Sequence, residues 1–143
     1  MAVFNEVRSK RTFIGKLKHG ADLLEELTAI CIEKNINLGS IKALGAVRKV
    51  RLGYYDQDVR EYNFFDIDKH LEITDLTGNI SLRDEKPMIH AHITVADSNG
   101  HVFGGHLAEG TIVFACEFII TELDGTQLVR GFDEETGLPL WEM

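Results

Sequence analysis

The stretch "MIHAHITVADSNGHVFGGHL", residues 88–107, carries four of the six histidines in the chain. Neutral imidazole is the commonest side-chain ligand for transition metals, so the chemistry at issue is metal binding. Side chains alternate between the two faces of a β-strand, which puts His90 and His92 on one face, one pleat apart. Where His106 points depends on the turn between "PMIHAHITVAD" and "HVFGGHL". If Asn99-Gly100 forms a two-residue loop, His92 opposes Leu107 and His106 takes the other face. If Ser98, Asn99 and Gly100 form a three-residue loop, Gly100 supplies its left-handed last residue and His92 lies directly opposite His106. Opposed Cβ atoms are then about 4.5–5.5 Å apart, close enough to share an ion. The sequence permits this arrangement without forcing it, because Gly104-Gly105 is also a pattern that marks bulges.

Three histidines without a thiolate make an open site, with one coordination position left for water or a ligand. Zinc is the expected ion; nickel, cobalt and iron also accept nitrogen ligands. Water on such an ion ionises near pH ~7 and can attack a carbonyl carbon. Gly104 and Gly105 would leave room beside the ion for a small-molecule ligand. Two acids are candidates for proton transfer or for orienting a histidine. Glu109 follows His106 by three residues, and Glu117 sits inside the apolar run "FACEFII", where an unpaired carboxylate is costly. The competing reading is simpler: H-x-H on a strand is most often an exposed or hydrogen-bonded pair, and Glu117 can pair with a base. His101 is out of parity at the turn and reads as surface.

The elements that must position these groups are mostly strands. "RTFIGKL" alternates as a strand, and "ADLLEELTAICIEKN" places Leu23, Leu24, Leu27, Ile30 and Cys31 at helical spacing. That one-sided stripe predicts a helix packed on a sheet. "GSIKALGAV" and "VRKVRLGYYD" read as two strands broken near Gly45, followed by "EYNFFDI" and by "LEITDLTGNISL", which loses register near Gly78. "GTIVFACEFIITEL" suits the sheet centre, with "TQLVRGF" pairing to it across a "DG" turn and Trp141 anchoring the tail. The expectation is a single α+β domain over residues 1–143, a mostly antiparallel sheet with one main helix.

Bulk properties narrow the function classes. The chain has 143 residues and net charge −8, with no apolar run near the roughly 20 residues that span a bilayer. "MAVFNEVRSKRTFIGKLKHG" lacks the apolar stretch of a signal peptide, so a cytoplasmic protein is expected. Cys31 and Cys116 read as small buried hydrophobes rather than a disulfide. Residues 1–51 hold ten Lys/Arg against five Asp/Glu, while residues 52–143 hold five against eighteen. Such spread-out basic residues disfavour DNA binding, which needs a concentrated cationic surface.

"HGADLLEELTAIC", "IKALGAVRKVRLGYYD", "LEITDLTGNISLRDEKPMIHAHITVADSNGHVFGGHLAEG" and "ACEFIITEL", in this order, resemble the plants-and-prokaryotes conserved domain, or PPC domain. The likeness runs over roughly residues 10–132, and H-x-H followed by "GGHL" is its most specific part. The resemblance implies a homotrimer with a zinc-type site on His90, His92 and His106, and a fold similar to acetolactate decarboxylase. Plant members carry an R-G-R-P motif for the minor groove. Here Pro87 and Pro139 have no arginine neighbour, so a DNA-associated role is the alternative reading. The expected function is that of a metal-dependent enzyme on a small carbonyl or ester compound, or else an oligomeric interaction module with a structural metal.

Overall fold

The structure is a computed structural model describing residues 1–143. In chain order the elements are β1 (Arg8–Leu17), α1 (Leu23–Glu33), β2 (Gly39–Asp56), β3 (Glu61–Ile67), β4 (Leu71–Arg83), β5 (Lys86–Ala96), β6 (Val102–Leu107), β7 (Ile112–Asp124), β8 (Arg130–Phe132) and β9 (Pro139–Trp141). Strands dominate and every ladder among them is antiparallel, with a single short helix. This is the α+β architecture read from the sequence, with a smaller helical share than that label suggests. No helix is long and apolar enough to cross a membrane.

β2 is the spine. One of its edges pairs first with β4 and then with β3; the other pairs with β7 and then with β6. β4, β5 and β6 follow one another as neighbours, so the β6–β2 pairing at Leu52–Leu107 and Gly53–His106 closes these strands into a ring. The interior is apolar: Ile41, Val50, Leu52, Leu76, Ile80, Ile93 and Leu107 are all buried. Burying each such side chain stabilises the fold by about 1.5–3 kcal/mol before entropy is counted. α1 supplies Leu23, Leu27 and Cys31 to this core and lies against β5. Asp22 starts the helix, its carboxylate accepting from the amides of Leu24 (3.0 Å) and Glu25 (3.1 Å).

Three expectations need correction. The break near Gly45 is not a strand end: β2 runs on for 18 residues, and Gly45 sits at a bulge where the register against β4 shifts, the register against β7 shifting after Ala46. The slip in β4 falls between Ile73 and Asp75 rather than at Gly78. Gly78 instead packs so tightly on Ala91 of β5 that a Cβ there would lie 2.7 Å from the alanine's own. "TQLVRGF" does not pair with β7. Its Arg130–Phe132 segment pairs with Pro139–Trp141 in a separate ribbon that folds back on β4. A short turn signal cannot show that return, because a long-range contact fixes it. Trp141 does anchor the tail, its Nε1 donating to the Ser81 hydroxyl at 3.1 Å. Both cysteines are free and buried.

Candidate metal centre

Alternation on β5 decides which groups reach solvent. Ile89, Ala91, Ile93 and Val95 point into the core, so His90, His92 and Thr94 point outward. The turn takes the three-residue form. Ala96 pairs with Val102, the Asp97 amide donates to the His101 carbonyl (3.0 Å), and Gly100 has φ 77°. That φ is the left-handed conformation glycine adopts without penalty. The register then runs unbroken to His92 opposite His106, and Gly104-Gly105 introduces no bulge.

Asp97 holds this turn. Its buried carboxylate accepts from the amides of Asn99 (2.9 Å) and His101 (3.0 Å), and from Lys69 Nζ (2.9 Å). The Lys69 ammonium, helped by those two amides, drives its carboxyl well below the ordinary carboxylate range despite burial. His101 rests on the same carboxylate, away from the other histidines, as its parity predicts.

His90, His92 and His106 form one cluster whose nearest ring nitrogens all lie within 4.8 Å of one another. Ring centroids are 5.2 Å apart for His90–His92 and His90–His106, and 5.8 Å for His92–His106. His106 Nδ1 is buried with no hydrogen-bond partner, a state that costs about 1–3 kcal/mol and that a bound ion would relieve. Burial first, and then the neighbouring His90, His92 and Arg130, pull the His106 pKa down to about 4. Burial, Arg130 and His92 lower that of His90 as well. Both rings are therefore neutral at physiological pH, the protonation state a metal requires. The residues fit a divalent transition ion, with all three ligands from imidazole.

A cavity of about 410 Å³ opens beside the cluster, with His90 and His106 on its floor. Tyr62 leans over His106 at 4.9 Å and stacks on Phe64 at 5.5 Å; it finds room because Gly53, opposite His106, has no side chain. The β8–β9 ribbon closes the far side. Arg130 donates to Asn79 Oδ1 (2.8 Å), Ser81 Oγ (3.0 Å) and the Pro139 carbonyl (3.0 Å), and its guanidinium lies 5.3 Å from the Trp141 ring.

The remaining candidates lie elsewhere. Glu109 is exposed in the turn after β6, and Glu117 is exposed on β7 opposite Lys16 and Leu44; neither borders this cavity. The acid that β7 buries is Glu122, which shares parity with Cys116, Phe118 and Ile120 and bonds to Lys10 (3.1 Å) and Arg11. Gly104 lies on the outward face opposite Thr94. Gly105 faces inward, where a Cβ would come 2.9 Å from the Gly53 carbonyl, so it serves the closure of β6 on β2. Asp97, Tyr62 and Arg130 were not singled out by the sequence. Thr77, Asn79 and Ser81 alternate with buried residues in "TGNIS", a polar row that parity alone could have placed under the histidine face.

The sequence profile of the Plants and Prokaryotes Conserved (PCC) domain matches residues 4–124. Among solved structures, a metal-containing protein of Archaeoglobus fulgidus is 41% identical, with TM-score 0.94 and full coverage of both chains. A plant- and prokaryote-conserved protein of Pyrococcus horikoshii is 32% identical, with TM-score 0.93, covering 99% of this chain and 98% of that one. A candidate DNA-binding protein of Bacteroides thetaiotaomicron is 28% identical, with TM-score 0.86, covering 96% and 98%. The α-acetolactate decarboxylase of Bacillus subtilis shares the fold alone, at 13% identity and TM-score 0.58 over 87% of this chain and 57% of that one. A curated relative, the bifunctional protein GlmU of a Synechococcus strain, is 27% identical over 124 residues; that is 85% of this chain but only 18% of the relative's length.

Proposed function

This chain belongs to the Plants and Prokaryotes Conserved domain family, and on that premise we propose that it is a cytoplasmic, homotrimeric, metal-dependent enzyme acting on a small carbonyl or ester compound. The observation that carries the proposal is the cluster of His90, His92 and His106 on the edge of a cavity, with no fourth side-chain ligand among them. Zinc is the preferred ion, and the metal-containing relative from Archaeoglobus supports a metal without specifying which. When bound, such an ion supplies Lewis acidity toward a carbonyl oxygen. The protein supplies the rest. His90 and His106 are held neutral for ligation, Tyr62 and Phe64 shield one side from water, and Arg130 fixes the ribbon that bounds the other. Trimer contacts fit the outer face of β1, β7 and β2, where Ile14, Leu44 and Ile119 are exposed around one groove.

The test is a panel of small esters and carbonyl compounds offered to zinc-loaded protein before and after chelation. Turnover that chelation abolishes supports the proposal; turnover that survives full metal removal contradicts it. The exposed apolar face also favours a second reading, an interaction module with a structural metal. In that case EDTA would dissociate the trimer, with sedimentation velocity as the measurement.

A further inference from the structure

We infer that the cavity beside the histidine cluster recognises a small molecule through an oxyanion, a carboxylate or a phosphate, which Arg60, Arg83 and Arg130 receive. The inference rests on the proposed metal site only for the ligand's other end; the anion subsite is built from residues outside the cluster.

The whole chain is acidic, with 23 Asp and Glu against 15 Lys and Arg. The cavity reverses that balance: three arginines line it and no carboxylate does. None of the three meets a carboxylate inside the cavity. Arg130, half-buried, spends its hydrogen bonds on a serine hydroxyl, an asparagine carbonyl and a backbone carbonyl, all uncharged. Arg60 donates to the Glu134 backbone carbonyl at 3.0 Å, and the carboxylate that feels its charge, Asp133, is bonded to Thr136 in its own turn outside the cavity. Arg83 has one acid within reach, Asp84 at 3.9 Å; that side chain is 92% exposed, and such a pair contributes little.

A guanidinium has five N–H donors and cannot shed its charge, so Arg130 keeps donors free after these three bonds. A half-buried cation without a counter-charge carries a desolvation cost, and an incoming oxyanion offsets it through charge-assisted, often bidentate, hydrogen bonds. The volume, about 410 Å³, lies at the small-ligand end of binding cavities. It suits a molecule whose oxyanion meets the arginines while its other polar end reaches His90 and His106. Tyr55 and Tyr62, packed on each other at 5.1 Å, form an aromatic wall of the same cavity against which the rest of the molecule would lie.

The test is isothermal titration of chelated, metal-free protein and of zinc-loaded protein with three probes: lactate, inorganic phosphate, and the uncharged isostere lactamide. We expect lactate or phosphate to bind the metal-free form and lactamide not to. Which of the two binds identifies the oxyanion. Because Arg130→Gln also loosens the ribbon, the decisive variant is Arg60→Gln/Arg83→Gln, both exposed, which should weaken binding about tenfold. Equal binding of lactamide, unchanged affinity in the double variant, or no oxyanion binding in either form would overturn the inference. Oxyanion binding in a protein that retains no zinc would sink the metal proposal alone; zinc retention without oxyanion binding would sink this one alone.

Discussion

His92 and His106 stand directly opposite each other across β5 and β6, and a loop of three residues sets that opposition. Gly100 sets that loop by taking φ 77°, which a β-branched residue adopts only with strain. Gly100→Val should therefore destabilise the fold by roughly 1–3 kcal/mol and weaken zinc binding about tenfold. Urea unfolding and metal titration together check this, and unchanged stability and affinity in the variant would refute the account of the loop.

Asp97 holds the same loop through Lys69 and two backbone amides. Asp97→Asn keeps the shape but removes the charge and one acceptor. Amide exchange at Asn99 and His101 should quicken, and metal affinity should drop about tenfold, the size seen when supports of a ligand are removed. Unchanged exchange at both amides would show that Asp97 does not hold the turn.

The buried, neutral His106 gives metal-free protein a pH dependence of definite sign. Its pKa is about 4 in the folded chain against an ordinary 6.5, so between these values only the unfolded chain takes up the proton. Its contribution to stability is complete above pH 6.5 and is lost as pH falls toward 4. His90, also lowered, acts in the same direction. Glu122, whose carboxyl is lowered chiefly by Arg11, acts only below its ordinary 4.5. Urea unfolding at pH 7.5 and pH 5 should show a larger loss for the metal-free wild type than for His106→Asn; an equal loss would contradict a neutral buried ring.

Burial separates the acids of this region. Glu122→Gln leaves Lys10 and Arg11 facing a neutral group and should destabilise the fold by roughly 1–2 kcal/mol, less than a fully buried pair because both bases are half exposed. Glu117→Gln and Glu109→Gln, at exposed positions, should stay within about 0.5 kcal/mol and bind zinc normally. Thermal melts and metal titration of the three variants measure both effects.

Periodicity and turn chemistry carried the histidine site far. The face shared by His90 and His92 follows from alternation alone, and Gly100 pointed to the loop that brings in His106. What the sequence left out arises from contacts between distant segments. Arg130 reaches Asn79 and Ser81 only because the tail folds back on β4. Glu117 drew notice over Glu122 because both lie in an apolar strand, and the sequence does not say which of its two faces is the core. Gly45 looked like a strand end because a bulge and a break leave the same interruption in the pattern.

The central claim is one metal ion held jointly by His90, His92 and His106. Elemental analysis of untagged protein, with His92→Ala and His106→Ala alongside, tests it most directly. The wild type should hold about one divalent transition ion per chain and each folded variant almost none; full metal content in both variants would contradict the account.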